Sequence, residues 1–294
     1  MWTGRAVGNA VLWKRGRTVK TIAPPVVLCV HDLACLGRAG MGAVVPVLAT
    51  MGFQPVPVPT AVLSSHTGGL GEPVRMNAAG YASQALAGYK ELGLEVSCVF
   101  AGYLPDDSSR AAAAQAFEQW PAALKLLDPA MADNGKLYQG MEDAVEPIRQ
   151  LAARADLVLP NLTEACLLLN EPVPEGPVTP DWACALADRL RESLNTGVVV
   201  TGLPMGKNIG VCAAGRTAFL VQKPRLACSF PGTGDLFAAV LAGSLMRGNA
   251  LSAAADMAAE FVWQAISHTG PAADTRLGVW YEPLLGRLAP VREG

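Results

Sequence analysis

The chain lacks several of the residues and motifs on which common active sites are built. Only three of its 294 residues are histidine (His31, His66 and His268), so we predict no metal site made of several histidines. No Gly-x-Ser-x-Gly elbow occurs, which argues against a serine hydrolase of the α/β class. The nearest approach to a Walker A loop, residues 202–208, is one residue short and ends in Asn. If the protein binds ATP, another loop must hold the phosphates.

Charge and long apolar runs are also scarce. Charged residues make up 16% of the chain and leave a formal net charge of −2, so we expect no nucleic-acid partner. No uninterrupted run of about 20 apolar residues occurs, so we predict no membrane span and a cytoplasmic protein. The seven cysteines are scattered, and none forms a Cys-x-x-Cys pair. This pattern predicts reduced, buried thiols and argues against a disulfide framework or a zinc site.

The first 24 residues differ in composition from the rest of the chain. They are basic, contain no acidic residue and end at the pair Pro24-Pro25. They lack the apolar stretch and the small-residue cleavage site of a secretory signal. A transit peptide would have a similar composition, but we expect residues 1–24 to be a disordered extension and residues 25–294 to form one domain.

From residue 26 onward, short apolar runs alternate with helix-like segments. Strands are predicted at residues 26–30, 54–59, 95–101, 123–127, 157–159 and 197–201. Helices are predicted at residues 44–51, 77–92, 108–120, 142–154, 163–170, 181–193, 235–246 and 251–268. A hairpin around Gly215, with strands at 209–213 and 217–221, interrupts the alternation. The order predicts an α/β fold with a doubly wound, mostly parallel central sheet and helices on both faces.

The most informative segment is Gly232-Thr233-Gly234-Asp235, which leads directly into an apolar helix. A helix that starts there directs its unpaired backbone N–H groups, and the positive end of its dipole, at the contents of the loop. The two glycines allow a ligand to approach the backbone closely. The segment therefore indicates an anion site with a carboxylate beside it, as phosphoryl transfer requires. The alternative is an ordinary turn in which Asp235 caps the helix.

Several other polar residues follow predicted strands. These positions are His31-Asp32, Gly102-Tyr103, Asp128-Pro129, Pro160-Asn161 and Thr201-Gly202. In doubly wound sheets, ligands bind outside the carboxyl ends of the strands, so these residues are expected to converge on one site.

The motifs, taken in order, resemble those of the pyridoxal/pyridoxamine kinases of the ribokinase superfamily. The resemblance extends from about Val26 to the C-terminus. The motifs that carry it are His31 to Arg38, Pro59 to Thr67, Gly102-Tyr103-Leu104, Asp128-Pro129-Ala130-Met131, Pro160-Asn161-Leu162-Thr163-Glu164 and Gly232-Thr233-Gly234-Asp235. It implies an enzyme with a ribokinase-like fold that transfers a phosphoryl group from ATP to the hydroxymethyl group of a vitamin B6 vitamer.

The resemblance also implies roles for the residues around the phosphates. Asp235 would be the base that accepts the proton of the substrate hydroxyl, while Gly232, Thr233 and Gly234 would donate backbone hydrogen bonds to the transferred phosphoryl group. The residues assigned to ATP binding are Asp128, Asn161, Glu164 and Thr201, together with the three residues of the loop. Asp128 and Glu164 would also contact Mg²⁺, partly through water. Purely structural roles are the alternative for three of these residues: Asn161 and Glu164 match a capping box, and Asp128 before proline matches a turn.

On the substrate side, the resemblance places Asp32 against the pyridine nitrogen, where several relatives have Ser. It places His66 and Thr67 near the ring substituents, and Tyr103 in the wall of the pocket. Mg²⁺ and a monovalent cation are the candidate cofactors, and a homodimer is the expected assembly.

Two matters are left open by the sequence: the backbone conformation at Ala132 and the choice between this function and its competitors. Ala132 replaces a glycine that is usual in relatives, so we expect strain there if the position needs a positive φ. The competing functions are a hydroxymethylpyrimidine kinase, a sugar or nucleoside kinase of the same superfamily, and a non-catalytic ligand-binding relative.

Overall fold

A computed structural model describes residues 24–76, 78, 80–215 and 218–290, and the backbone of three short strands before them. Those strands are β1 (Arg5–Val7), β2 (Ala10–Trp13) and β3 (Arg17–Val19), and they form a separate antiparallel sheet. The other residues before position 24, and all side chains there, lie outside the described part of the chain. The disordered extension expected over residues 1–24 therefore stays a prediction.

The strands after residue 25 build one nine-stranded sheet and one small hairpin. Their bounds are β4 (Val26–Leu36), β5 (Gln54–Ser65), β6 (Arg75–Met76), β7 (Cys98–Ala101), β8 (Leu124–Leu127), β9 (Ala132–Asp133), β10 (Lys136–Leu137), β11 (Leu157–Val158), β12 (Gly197–Met205), β13 (Asn208–Ala213) and β14 (Phe219–Pro224). The sheet order is β14-β13-β12-β11-β8-β7-β4-β5-β6, and β9 pairs only with β10. All pairs between β5 and β12 are parallel, and the edge pairs are antiparallel. The predicted mostly parallel sheet is confirmed.

Helices cover both faces of the sheet, as predicted. Their bounds are α1 (Met41–Thr50), α2 (Tyr81–Glu91), α3 (Asp107–Gln119), α4 (Val145–Ala152), α5 (Leu162–Leu169), α6 (Pro180–Leu194), α7 (Thr233–Met246) and α8 (Leu251–Thr269). Side chains alternate between the two faces along a strand, so Leu28 and Val30 of β4 pack in the core formed by α2 to α6. Val27 and Cys29 pack in the opposite core, with α1, α7 and α8. None of the helices described is long and apolar enough to cross a lipid bilayer.

Several element boundaries differ from the predictions. We expected β4 to end at Val30 and β5 at Pro59, but the pair continues to Leu36 and Ser65 with a register shift between His31 and Leu33. The two strands are longer than predicted because they continue to pair with each other beyond the apolar segments. The local pattern of apolar residues does not predict such pairing. The hairpin of β9 and β10 has only two residues in each strand, too few to produce a sequence pattern. Asn77 and Thr217, the expected first residues of a helix and a strand, lie outside the described residues.

The thiols also differ in part from the prediction. All seven cysteines are free, but Cys35 is exposed, since it lies in the extension of β4 beyond the core.

We predict that Leu86→Ala lowers the free energy of unfolding by about 2–5 kcal/mol, because it opens a cavity in the core under α2. Leu86 is completely buried, whereas Leu92 at the end of the same helix is 67% exposed. The matched control Leu92→Ala is expected to change the same quantity by less than about 0.5 kcal/mol. Urea denaturation of both variants measures the difference, and equal losses would contradict the described packing of α2.

Candidate active site

A cavity of about 350 Å³ lies at the carboxyl ends of the parallel strands, and nearly all predicted site residues line it. Those residues are Asp32, His66, Thr67, Tyr103, Asp128, Asn161, Glu164, Thr201, Gly232, Gly234 and Asp235. Thr233 does not line it, because its side-chain hydroxyl donates a hydrogen bond to the carbonyl of Phe230. Residues 203–208 do not line this cavity; they belong to β12, the following turn and β13. The convergence of separate strand ends therefore holds.

The loop before α7 depends on Gly232. This residue has φ = 79°, and a Cβ atom there would lie 1.9 Å from the backbone carbonyl oxygen of Arg38. The left-handed conformation and the close approach both require glycine. Helix α7 begins at the next residue, Thr233, so its first N–H groups face the cavity without intrahelical acceptors. The loop has the geometry of an anion site at a helix N-terminus.

Asp235 occupies the third position of α7 but does not cap the helix. Its Oδ2 accepts a hydrogen bond of 2.8 Å from the backbone N–H of Gly40, and its Oδ1 lies 3.0 Å from Nε2 of His31. Because the cap position is held by Gly232 without a side-chain cap, the helix-cap alternative for Asp235 is wrong. The carboxylate is instead fixed by two groups from the β4–α1 region and lines the cavity.

His31 and Gly40 are the residues whose roles sequence reasoning missed. His31 is only 1% exposed, and its Nδ1 lies 2.7 Å from Oδ1 of Asp32. Burial alone would lower the pKa of His31, but contacts with Asp235 and Asp32 outweigh burial and raise it to about 10. The one available signal was a histidine at the end of an otherwise apolar strand, followed directly by an acid.

The residues expected on the substrate side line the same cavity, and both ring nitrogens of one of them, His66, already form hydrogen bonds with the protein backbone. Nε2–H of His66 donates to the carbonyl of Arg276 at 2.6 Å, and its Nδ1 accepts from the N–H of Gly68 at 3.0 Å. His66 can therefore offer a ligand its ring surface, but neither nitrogen. Asp32 is 6% exposed and lies against Gly40, where a Cβ atom would come within 2.5 Å of its carboxylate.

The buried acid Glu164 organises the opposite side of the cavity. Asn161 and Glu164 form the capping box that their spacing predicted. The carboxylate of Glu164 also accepts hydrogen bonds from the N–H groups of Met131 at 2.8 Å and Ala132 at 3.3 Å. The strain expected at Ala132 is absent, since this residue lies in β9 and the positive φ of 37° belongs to Ala130. Glu164 thus joins α5 to the loop after β8.

Asp128 and Glu164 form a pair of buried acids that is difficult to ionise. Burial, and then the charge of Asp235, raise the pKa of Asp128 to about 7. Burial, and then the charge of Asp128, raise the pKa of Glu164 to about 8. Asp128 also accepts a hydrogen bond from the N–H of Ala130 at 3.3 Å, so the turn role expected for it is present. A cation placed beside this pair would relieve the cost of ionising it.

Acidic side chains outnumber basic ones in the cavity, whose described lining also includes His31 with its raised pKa. Five carboxylates line it (Asp32, Asp128, Asp133, Glu164 and Asp235), and no Lys or Arg occurs among the lining residues in the described part of the chain. An ATP polyphosphate would meet net negative charge in such a cavity. The oxygen-only donors and the raised pKa values fit a hard divalent cation such as Mg²⁺.

Comparison with known proteins decides the family. Residues 35–280 match the model of a family described as phosphomethylpyrimidine kinase. The chain belongs to this family. The match spans most of the kinase-like domain, from β4 to the segment after α8, and so includes most of the cavity.

Individual relatives include pyridoxal kinases. A pyridoxal kinase of Rubrobacter xylanophilus is 30% identical over 259 residues, which cover 83% of this chain and 87% of the relative. A Bacteroides thetaiotaomicron structure, provisionally named a phosphomethylpyrimidine kinase and solved with pyridoxal, is 33% identical with a TM-score of 0.84, covering 90% of this chain and 96% of its own. Pyridoxal kinase of Lactobacillus plantarum is 29% identical with a TM-score of 0.82, covering 91% and 97%. The predicted resemblance to pyridoxal kinases is confirmed, and the chain is a kinase with the ribokinase-like fold.

We predict that the unliganded protein loses stability as the pH rises from 5 to 9 in the absence of divalent cations. The pKa values of Asp128 and Glu164 are raised on folding from 3.8 and 4.5, so their contribution is complete below those values, falls as the unfolded chain ionises, and is fully lost once the folded acids ionise near pH 7 to 8. The expected loss is on the order of a few kcal/mol. Asp128→Asn removes one member of the pair, so the free energy of unfolding of this variant should fall clearly less steeply with pH. Denaturation curves at several pH values measure both slopes, and identical slopes would contradict this account of the pair.

Proposed function

We propose that this protein transfers the γ-phosphoryl group of ATP to the hydroxymethyl group of pyridoxal, pyridoxamine or pyridoxine. The observation that carries the proposal is one carboxylate, Asp235, held beside the N-terminus of α7 in the same cavity as Asp32. A base next to an anion site supports phosphoryl transfer, and the acid on the other side supports a substrate with a basic ring nitrogen. The pyridoxal kinases among the relatives support the same choice of substrate.

In the proposed reaction, the substrate hydroxyl oxygen forms a bond to the γ-phosphorus while the bond from that phosphorus to the leaving ADP oxygen breaks. The hydroxyl proton passes to Asp235, which Gly40 holds in place. The free N–H groups at the start of α7 would stabilise charge on the transferred oxygens. Catalysis then depends mainly on positioning and electrostatics, because the protein forms no covalent bond with the phosphoryl group.

The residues present fit Mg²⁺ as the metal of this reaction. Asp128 would hold it, and Glu164 would act through water, because its two oxygens already accept three backbone hydrogen bonds. Bound Mg²⁺ would neutralise phosphate charge in a cavity lined with acids. The expectation that a monovalent cation also takes part rests only on the resemblance to the pyridoxal kinases.

Asp32 supports a pyridine substrate most directly. A carboxylate facing a ring nitrogen favours the protonated ring through a charge-assisted hydrogen bond. Tyr103 and Thr67 line the same part of the cavity, and the ring of His66 adds a flat surface. Asn161, the cap of α5, lies beside Thr201 of β12 through an isolated parallel bridge, and both would contact the nucleotide.

A hydroxymethylpyrimidine kinase is the second candidate, and the name of the matching family favours it. The two reactions share the phosphoryl-transfer half of the cavity and differ only in the ring that Asp32 would contact. A non-catalytic binding protein is disfavoured, because it would have no use for the fixed carboxylate of Asp235. A homodimer, which rests on the resemblance, and a cytoplasmic location, which rests on the composition of the sequence, also belong to the proposal.

We predict that the purified protein with Mg²⁺ consumes ATP in the presence of at least one B6 vitamer. The assay compares the three vitamers with hydroxymethylpyrimidine and with ribose. Phosphorylation of hydroxymethylpyrimidine alone would favour the second candidate, whereas phosphorylation of ribose alone would exclude both.

We predict that Asp235→Asn lowers kcat by about 10² to 10⁴-fold, because the amide cannot accept the proton. Binding of ATP, measured by calorimetry, should change little. Asp107→Asn makes the same chemical change at a side chain that is 96% exposed on α3, and it should leave kcat unchanged. Near-normal turnover of Asp235→Asn would mean that this acid is not the base.

A further inference from the structure

We propose that His31 is a positioning residue that holds the Asp235 carboxylate in its reactive orientation and links it to Asp32. The mechanism above uses Asp235 and Asp32 separately, yet one imidazole lies between them. The inference rests on the proposed function, because it assigns His31 a part in the same reaction.

The imidazole contacts a different acid with each nitrogen. Nε2 lies 3.0 Å from Oδ1 of Asp235, and Nδ1 lies 2.7 Å from Oδ1 of Asp32. The backbone N–H of Asp32 also points at Nδ1 from 2.9 Å; it can donate there only when Nδ1 carries no proton, whereas the contact with Oδ1 of Asp32 needs a proton on Nδ1. An imidazolium can donate on both sides, and the raised pKa of His31 agrees with that form. The base and the acid expected at the substrate ring are therefore held at one fixed separation.

The position of His31 is set by its surroundings as well as by the two acids. Its ring stacks on Phe100 with a centroid distance of 6.1 Å and an angle of 12° between the planes. Directly after the neighbouring strand β7, a Cβ atom at Gly102 would lie 1.9 Å from the His31 ring. Glycine at that position therefore provides the space that the imidazole occupies. A ring packed in this way can orient a mobile carboxylate.

The contact with Asp235 is incomplete in the described geometry. Although the separation is that of a hydrogen bond, the Nε2–H direction is not aligned with Oδ1, and Nε2 has no other acceptor among the described residues. Catalytic hydrogen bonds often align only when substrate is bound. A small rotation of Asp235 would complete this one and leave its second oxygen on the N–H of Gly40.

The charged groups around His31 are all acidic. Asp32 follows it on β4, Asp235 reaches it from α7, and Asp128 acts on it from the loop after β8. One buried cation among three carboxylates lowers the electrostatic cost of keeping the base ionised. His31 therefore has an electrostatic effect as well as an orienting one.

Two neutral replacements separate the two contacts of His31. The amide nitrogen of Gln can reach the place of Nε2, and that of Asn the place of Nδ1. We expect His31→Asn, which loses the donor to Asp235, to lower kcat about tenfold or more with a smaller change in the KM of ATP. His31→Gln should recover a large part of that loss. His268→Gln, at a histidine that stacks on Trp280 and does not line the cavity, should have normal kinetics.

A double-mutant cycle tests whether His31 acts through Asp235. In an Asp235→Asn background, His31→Asn should lower kcat no further, because the group that it positions is already inactive. Equal losses from His31→Asn and His31→Gln, or additive losses in the cycle, would overturn the proposal.

A second measurement requires no enzymatic turnover. It tests the proposal even when His31→Asn folds poorly, and its result does not depend on the proposed function. Nitrogen-15 NMR of the unliganded wild-type protein reports the histidine ring nitrogens, and His31→Gln identifies the His31 signals. Asp235→Asn should shift the Nε2 signal of His31 and leave that of His268 unchanged. An unmoved Nε2 signal would overturn the proposal even if the protein phosphorylates a B6 vitamer. If the enzyme phosphorylates no tested substrate, the proposed function fails, while the NMR result still decides on the contact.

Discussion

The hydrogen bond from the backbone of Gly40 to Asp235 connects the parts of the cavity that come from opposite ends of the chain. Residues 37–40 make the other close contacts as well. Gly37 packs on the ring of His66, the carbonyl of Arg38 packs on Gly232, and Gly40 packs on Asp32. Because all three contacts leave no space for a Cβ atom, glycines at positions 37, 40 and 232 decide where both the base and the substrate-side acid lie.

The same arrangement places several acidic side chains close together, and this affects the stability of the unliganded protein. Burial raises the pKa values of Asp128 and Glu164, so the pair is costly to ionise, and the raised pKa of His31 favours a positive charge that would offset part of the charge near Asp235. A site of this kind is stabilised by the cation and ligand that it binds. The electrostatic cost would therefore favour the proposed complex of ATP with Mg²⁺, and it would account for the lack of Lys and Arg among the described residues that line the cavity.

The local patterns predicted some features well and others poorly, for physical reasons. The capping box of Asn161 and Glu164 was predictable because it depends on residues three positions apart. The three backbone hydrogen bonds to Glu164 were only partly predictable, because two of them come from Met131 and Ala132 in another loop. His66 was expected to contact the substrate, yet both of its nitrogens bind backbone groups, one of them at Arg276. Such partners are distant along the chain, so no local pattern reveals them.

The sequence by itself determined the alternation of strands and helices, the helix start at Gly-Thr-Gly-Asp and the family, because each of these depends on nearest neighbours or on ordered motifs. It also indicated which strand ends carry polar residues. Only the tertiary structure decided that Asp235 accepts a hydrogen bond from Gly40, lies beside His31 and is not a helix cap, since His31 on β4 and Gly40 before α1 both lie about two hundred positions away. Orientation of a side chain is set by packing and by long-range hydrogen bonds, and these exist only when the sheet has assembled.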